Sequence, residues 1–144
     1  MTVPASKAVL MIDAASTTNA ATATGIVDTK GFDFCSIDII SATTNDTTNN
    51  PTVFNLLESD DTVVTNAATI SGFVGDTDWT IPTGDTANTT LTKMDVDCRG
   101  RKRYLRLNIS PLTTVIYTAI ANLGRGEELP KDATSAGVGA YIAG

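Results

Sequence analysis

Apolar and polar side chains alternate with a period of two in several segments of this chain, which is the pattern of half-buried β-strands. The alternation is found in residues 32–40, 52–58, 91–98, 103–110 and 113–123. These segments are separated by residues that favour turns, mainly Gly, Pro, Asn and Asp. With shorter segments added, the pattern predicts seven or eight strands and no helix.

The tightest predicted connection is residues 99–102, which contain Arg99-Gly100-Arg101-Lys102. Because strongly alternating segments flank this short turn, we expect 91–98 and 103–110 to pair as a β-hairpin. A further short strand is predicted within 25–31, where the sequence ends in Lys30-Gly31.

The middle of the chain is predicted to be less regular. Residues 62–65 are expected to return as a strand after 52–58, across the turn Ser59-Asp60-Asp61. Turn residues then dominate from 71 to 90, and we expect an irregular excursion that Phe73 and Trp79 hold against the core.

The parity of each strand assigns a core face. In residues 113–123 both faces carry apolar side chains, which indicates that both faces are covered. Truncating a large buried side chain to Ala typically lowers the free energy of unfolding by roughly 2–5 kcal/mol, so the core positions should dominate stability. The predicted core consists of Cys35, Ile37, Ile39, Val53, Leu57, Met94, Val96, Leu105, Leu107, Ile109, Ile116 and Ile120.

Length and composition agree with a single all-β domain. The chain has 144 residues and a mass of 15.0 kDa, which is the size of one domain. It contains 25 threonines, and Thr is β-branched and suits a pleated surface. We expect a β-sandwich or jelly roll over residues 26–125, an extended N-terminal arm over 1–25 and a Gly/Ala-rich tail over 126–144.

The residue inventory excludes several kinds of chemistry. The chain has no histidine, so Ser-His-Asp and Cys-His catalysis and histidine-ligated metals are excluded. Its two cysteines cannot form a structural zinc site by themselves. No nucleophile has a plausible base beside it. We therefore expect no enzyme activity and no cofactor.

Membrane and secretory segments are also not expected. No stretch reaches the roughly 18 apolar residues of a membrane helix. The N-terminal apolar run, Val9–Ile12, is shorter than the core of a signal peptide, which has about 7–15 residues. We expect synthesis in the cytosol and no membrane partner.

Charge is unevenly distributed along the chain. The formal net charge is -6 and the pI is about 4.4, which disfavours nucleic acid as a partner. Half of the ten basic residues nevertheless fall within eight positions, and these could contact an acidic protein partner. The alternative is a charged hairpin that protects a sheet edge from aggregation. The predicted contact residues are Arg99, Arg101, Lys102, Arg103 and Arg106.

Carboxylates and cysteines receive simpler interpretations. The carboxylates cluster at residues 58–61 and 76–85 without the glycine and terminal glutamate of a calcium loop, so solvated turns are expected. Cys35 and Cys98 lie on predicted apolar strand faces. A disulfide is possible if those strands are adjacent, but free buried thiols are expected in a cytosolic product.

Several short phrases occur in an order that is characteristic of a known group of proteins. They are DTKGFD at 28–33, LESDDT at 57–62 and KRYLRL at 102–107. A Thr-rich strand follows, and then a tail with Leu123-Gly124 and Leu129-Pro130. In this order the chain resembles the small β-sandwich proteins that decorate or cement the capsids of tailed bacteriophages.

The resemblance covers residues 26–131 and implies a structural role. It implies a protein on the outer capsid surface of the virion that binds the major capsid protein and holds neighbouring capsid subunits together. It also implies a homo-oligomer, with a trimer preferred to a dimer. No catalytic residues are carried over from this family.

A second class of function is compatible with the same composition. A receptor- or carbohydrate-binding module of a phage fibre or spike is also a β-sandwich, and Trp79, Tyr104 and Tyr117 could line a sugar site. Copy number separates the two classes, because a decoration protein is present at hundreds of copies per virion and a spike module at few.

Overall fold

The computed structural model describes residues 6–19, 21–43, 51–82, 89–124 and 140–143. Within these ranges the chain forms nine strands and one 3-10 turn, Val64–Asn66, so the all-β prediction is confirmed. The strands are β1 (Lys7–Thr17), β2 (Ala23–Asp28), β3 (Phe34–Thr43), β4 (Val53–Ser59), β5 (Ala68–Val74), β6 (Thr90–Asp97), β7 (Tyr104–Ser110), β8 (Val115–Gly124) and β9 (Ala140–Ala143).

The strands are arranged as a jelly roll. A five-stranded sheet has the order β1-β8-β3-β6-β9, and a four-stranded sheet has the order β2-β7-β4-β5. The pairs β1–β8, β2–β7, β3–β6 and β4–β5 are all antiparallel. Such nested pairing of eight strands is the rolled-up ribbon of a jelly roll. Strand β9 extends the larger sheet by pairing in parallel with β6.

The core lies between the two sheets, and its best-predicted parts are β3 and β7. Cys35, Ile37 and Ile39 of β3 are fully buried, as are residues 105, 107 and 109 of β7. In both strands every second residue is apolar, and these residues all lie on the buried face. The period-two prediction is therefore confirmed for these strands.

The predicted core face of β4 was wrong. Val53 and Leu57 are only partly buried, whereas Phe54 and Leu56 are 2% and 0% exposed. Apolar residues occupy neighbouring positions in this strand, so alternation alone cannot choose the face. The register with β7 decides it, because Leu56 lies opposite Leu107.

The predicted core face of β8 was also wrong. Ile116 and Ile120 lie on the outer face and are partly exposed, while Tyr117 and Ala119 are fully buried. Ala119 lies opposite Ile39 of the neighbouring strand. A small residue next to a large one lets the inner face pack closely, so β8 turns its isoleucines outward.

The predicted hairpin between residues 91–98 and 103–110 does not form. Strand β6 pairs with β3 and β9, and β7 pairs with β2 and β4. Residues 98–103 therefore carry the chain from one sheet to the other. A hairpin and such a crossover have the same local pattern, since both join two alternating strands by a short turn.

The predicted return strand at 62–65 is replaced by a 3-10 turn, and the strand β5 begins at Ala68 instead. The irregular excursion predicted over 71–90 was wrong at its start, because residues 71–74 belong to strand β5. Phe73 in that strand is fully buried, as its predicted anchoring role requires. The ring of Trp79 meets the ring of Phe54 edge-on, with 5.1 Å between centroids. Residues 83–88 lie outside the described part of the chain.

The segment expected to be an N-terminal arm contributes strands to both sheets over its described part. Strand β1 pairs along β8 and β2 along β7. The two strands approach closely because residue 25 is glycine: a Cβ there would lie 2.8 Å from Met11 Cβ. In the expected tail, Ala140–Ala143 forms β9, and residues 125–139 lie outside the described residues.

Candidate partner-contact surface

Three connections converge at one end of the sandwich. They are residues 29–33 between β2 and β3, 60–67 between β4 and β5, and 98–103 between β6 and β7. We call this region the crossover end. The first and third connections pass from one sheet to the other, and the second joins two neighbouring strands of one sheet. The crossover end contains most of the basic residues predicted to contact a partner.

Backbone hydrogen bonds tie these connections to one another. The N–H of Thr29 donates to the carbonyl of Arg103 at 2.9 Å, and its hydroxyl donates to the same oxygen at 2.6 Å. The N–H of Cys98 donates to the carbonyl of Asp33 at 2.9 Å. Because separate parts of the chain are joined in this way, the crossover end is a preorganised surface.

Arg103 forms a bidentate ion pair with Asp28. Its Nε and Nη2 donate to the two carboxylate oxygens at 2.9 and 2.7 Å. The hydrogen bond from Arg103 lowers the pKa of Asp28 from 3.8 to about 2. The guanidinium also lies over the ring of Tyr104, at 4.9 Å from its centroid. The side chain is thus fixed in position although it is exposed.

Arg99 forms a similar pair within its own turn. Its Nε and Nη2 donate to the carboxylate of Asp97 at 2.9 and 2.7 Å. This side-chain hydrogen bond lowers the pKa of Asp97 to about 2. The side chain of Arg99 is 73% exposed, so water screens the pair and its contribution to stability is small.

Arg101 and Lys102 face carboxylates at the end of β4 and at the start of the β4–β5 connection. The guanidinium of Arg101 lies 3.9 Å from Glu58 and 5.9 Å from the ring centroid of Phe73. The ammonium of Lys102 lies 4.0 Å from Asp60, and its backbone N–H donates to Glu58 at 3.3 Å. The side chains of Arg101 and Lys102 are 23% and 45% exposed, so Lys102 is the more accessible of the two cations.

Arg106 is placed differently from the sequence expectation. It was predicted to contact a partner, and it lies on the outer face of β7, opposite Leu57 of β4. The β4–β5 connection covers it there, so the residue is only 6% exposed. Its Nη2 donates to the carbonyl of Thr62 at 3.0 Å. Because this group is buried and holds a loop of its own chain, Arg106 supports the surface and does not itself form it.

The structure therefore brings the five predicted basic residues together but changes their interpretation. Four of them have a carboxylate of the same chain within 4.0 Å, and Arg106 is buried. The cluster is a network of paired charges and not an open positive patch. Contact of these four cations with a partner stays a prediction.

Sequence reasoning missed an apolar feature beside this network. Val63 and Val64 are 51% and 65% exposed, and we call them the valine pair. Asp61 holds their loop, because its carboxylate accepts the N–H of Val63 at 2.9 Å and the side-chain amide of Asn66 at 2.8 Å. Two consecutive valines are typical of a strand, so the sequence pattern predicted a strand where the structure has an exposed turn.

The second group of carboxylates acts within its own turn. The carboxylate of Asp78 accepts the N–H groups of Gly72 and Val74 at 2.8 and 3.0 Å, and Asp76 accepts that of Ile81 at 3.2 Å. Among the described residues no group of three His, Cys, Asp or Glu side chains is placed to hold a metal ion. Asp85 lies outside these residues.

The aromatic residues considered for a sugar site do not share a surface. Tyr117 is fully buried between the sheets, so it cannot line a surface site. Trp79 packs against Phe54 after β5, whereas Tyr104 lies under Arg103 at the crossover end.

Cys35 and Cys98 are buried free thiols, as expected. Burial raises the pKa of the Cys98 thiol to about 11.

The strand order defines an all-β jelly-roll protein. Comparison with known proteins finds no family that matches the chain and no matching curated protein. Among solved structures, the chain is similar to the SPBc2 prophage-derived protein YomS, at 12% identity and a TM-score of 0.45. That match covers 85% of this chain and 96% of the other. Within the described ranges no helix is long and apolar enough to cross a membrane.

Proposed function

We propose that this protein is a structural virion protein of a tailed bacteriophage. It binds the outer surface of the capsid and stabilises the particle by bridging subunits of the major capsid protein. Its function is binding, without catalysis or a cofactor, and it acts as a homo-oligomer.

The observation that supports this proposal is the contact between the three short sequence phrases, at 28–33, 57–62 and 102–107, in which the chain resembles capsid decoration proteins. The phrase at 102–107 touches both others: Arg103 pairs with Asp28 of the first, and Lys102 donates to Glu58 of the second. The phrases are far apart in the sequence, yet they form one connected surface. If this chain and the capsid decoration proteins have a common binding role, the sequence segments that they share should lie together on one surface.

The chemistry of the crossover end suits adhesion to another protein. The valine pair offers exposed apolar area on a loop that Asp61 holds, and Asp60 of the same loop pairs with Lys102. Apolar contact with a polar rim is the usual composition of a protein interface. Jelly rolls occur in both capsid proteins and lectins, so the fold alone does not decide between decoration and the carbohydrate-binding alternative.

Copy number in purified virions tests the proposal directly. Quantitative gel analysis or mass spectrometry should find the protein at hundreds of copies, in fixed proportion to the major capsid protein. A cryo-EM reconstruction should show it on the outer surface between capsid subunits. A few copies per particle, located on fibres or spikes, would instead support the receptor-binding alternative and reject the decoration role.

Binding to undecorated capsids tests the role of the basic tip, by which we mean Arg101 and Lys102 in the connection between β6 and β7. Replacing Arg101 and Lys102 by Ser should weaken binding modestly at low salt, because exposed charge pairs contribute at most about 1 kcal/mol each. The difference should shrink at 1 M salt, where the screening length is about 3 Å. The matched control, Arg101→Lys with Lys102→Arg, keeps both charges and should bind like wild type. Equal binding by the Ser variant at low salt would show that the tip is a solvated turn.

A further inference from the structure

One lysine on the outer face of the five-stranded sheet is held between two carboxylates. Lys93 of β6 lies directly opposite Asp38 of β3, and its Nζ is 3.3 Å from Oδ1 of Asp38. Asp95 follows two residues along β6 on the same face, with its Oδ1 at 3.7 Å from the same Nζ. The ammonium also donates to the hydroxyl of Ser36. Because two paired strands carry these groups, the pairing itself fixes the amine against the carboxylates.

The lysine is also less accessible to water than the other paired cations. The side chain of Lys93 is 18% exposed, whereas the cations of the other ion pairs within the described residues are 23% to 73% exposed. Apolar neighbours account for part of this shielding. Ile120 of β8 lies opposite Asp38, and Ile40 opposite Leu91 forms the next row of the same face. Such surroundings strengthen the interactions between polar groups that remain in contact.

Asp95 is the unusual member of the group. The residue is 0% exposed, and neither oxygen of its carboxylate has a hydrogen-bond partner. Buried polar groups are nearly always hydrogen-bonded, and an unsatisfied one calls for a specific explanation such as catalysis. Its contact with Lys93, at 3.7 Å, is longer than a hydrogen bond. Contacts that transfer a proton are often long until the reacting state forms, so Asp95 is placed to take a proton from the amine.

We propose that Nζ of Lys93 and Cγ of Asp38 join in an intramolecular isopeptide bond, with Asp95 transferring the proton. The nitrogen lone pair attacks Cγ and a C–N bond forms, while Asp95 takes a proton from Nζ. Asp95 passes this proton to the departing oxygen of Asp38, the C–O bond breaks, and that oxygen leaves as water. An ammonium and a carboxylate become one amide and one water, so the step balances without a further reactant.

The position of the groups favours this step. Well-oriented groups whose reacting atoms are about 3–3.5 Å apart reach effective molarities of roughly 10⁵–10⁸ M, and Lys93 and Asp38 approach to 3.3 Å. Asn122 of β8 donates its side-chain amide to Oδ2 of Asp38 at 3.3 Å. This hydrogen bond holds the carboxyl group and stabilises the negative charge that develops on its oxygen during the attack. Three neighbouring strands therefore supply the amine, the carboxyl group and the oxygen donor.

The bond joins positions that are 55 residues apart, in β3 and β6. It closes a loop that contains β4 and β5. A covalent link of this kind restricts the unfolded chain and so stabilises the fold. Because every group involved belongs to one chain, the reaction does not depend on binding to a capsid. The isopeptide bond and the proposed function can therefore fail separately.

Mass spectrometry of the purified full chain tests the bond. The wild-type chain should be lighter than its sequence by one water. Trypsin should leave residues 31–99 as one peptide, because it does not cut after an acylated lysine. Lys93→Arg keeps the charge but cannot form this amide with its guanidinium held in resonance, so it should have the full sequence mass. The matched control is Lys102→Arg, at the exposed pair with Asp60, which should remain one water lighter. A wild-type chain of full mass that trypsin cuts after Lys93 overturns the proposal.

Asp95→Asn tests the proton transfer, because it keeps the shape of the side chain and removes its basic oxygen. Samples from cell-free synthesis, quenched at intervals, give the rate at which the lighter chain appears. General acid–base catalysis contributes about 100-fold or more, so Asp95→Asn should slow the reaction by at least about 100-fold. Linkage at the wild-type rate in this variant overturns the role of Asp95. Circular dichroism checks that the variant keeps its strands, and if it does not fold, the wild-type peptide map alone decides whether the bond exists.

Discussion

Gly25 offers the sharpest test of how the two sheets meet, and Gly25→Ala should destabilise the protein. This residue lies on the inner face of β2 where β1 passes. An added Cβ would lie 2.9 Å from the carbonyl oxygen of Met11 and 3.0 Å from Cγ1 of Ile12. Ordinary contacts begin at 3.4 Å, and the nearest atom, Cβ of Met11, lies at 2.8 Å. Strand β1 must therefore recede by about 0.6 Å, the difference between 3.4 and 2.8 Å.

The cost of this change follows from how β1 is held. The strand is paired with β8, so it cannot recede without disturbing that pairing or the packing of Ile12 in the core. Overpacking of this kind typically costs about 1–3 kcal/mol. Loss of flexibility in the unfolded chain offsets about 0.4–1 kcal/mol for a Gly→Ala change. We expect a net loss of about 1–2 kcal/mol in the free energy of unfolding.

Urea denaturation measures this loss, and hydrogen exchange locates it. Gly31→Ala is the comparison, because Gly31 has a φ of +88° with no atom within 4 Å of its Cβ position. It should destabilise through backbone strain alone. Faster exchange of β1 amides, beyond the global change in stability, should therefore occur only in Gly25→Ala. A Gly25→Ala protein within 0.5 kcal/mol of wild type, with normal β1 exchange, would refute the close approach of β1 and β2.

Three further variants test the core and the crossover end. Leu107→Ala should lower the free energy of unfolding by roughly 2–5 kcal/mol in urea, because a fully buried side chain leaves a cavity. Tyr117→Phe should raise it by about 1 kcal/mol, because the buried hydroxyl has no hydrogen-bond partner among the described residues; a lower melting temperature would contradict this. The lowered pKa of Asp28, about 2 against 3.8, means that its pair with Arg103 stabilises the fold above pH 4 and is lost as the pH falls towards 2. Melting temperatures of wild type should therefore fall more steeply over that interval than those of Asp28→Asn, and parallel curves would exclude this contribution.

The parts of the fold that were predictable from sequence are those where local pattern leaves one choice. In β3 the large apolar residues Cys35, Ile37 and Ile39 alternate with smaller or polar ones over the buried half, and their face was predicted correctly. In β4 apolar residues are adjacent, so Phe54 and Leu56 could be identified only from the pairing with β7. Pairing joins distant parts of the chain, and local alternation contains no information about it.

The contact surface shows the same division. The position of the basic residues at one turn is a property of the sequence, and the structure places them together. Their partners are distant: Asp28 lies 75 positions from Arg103 and Glu58 lies 44 positions from Lys102. The pairing of β7 with β2 and β4 brings these carboxylates close, and local alternation did not predict that pairing. The burial of Arg106 has the same origin, because the loop that covers it follows a different strand.

The nested strand order also sets when the fold can form. Strand β1 must wait for β8, which begins at Val115, and β2 must wait for β7. At a synthesis rate of about 5–20 residues per second, β1 spends roughly 5–20 s on the ribosome before its partner is made. Non-local strand pairing is also intrinsically slow. The two register irregularities of β1 make it poorly suited to regular pairing with a wrong neighbour during that delay.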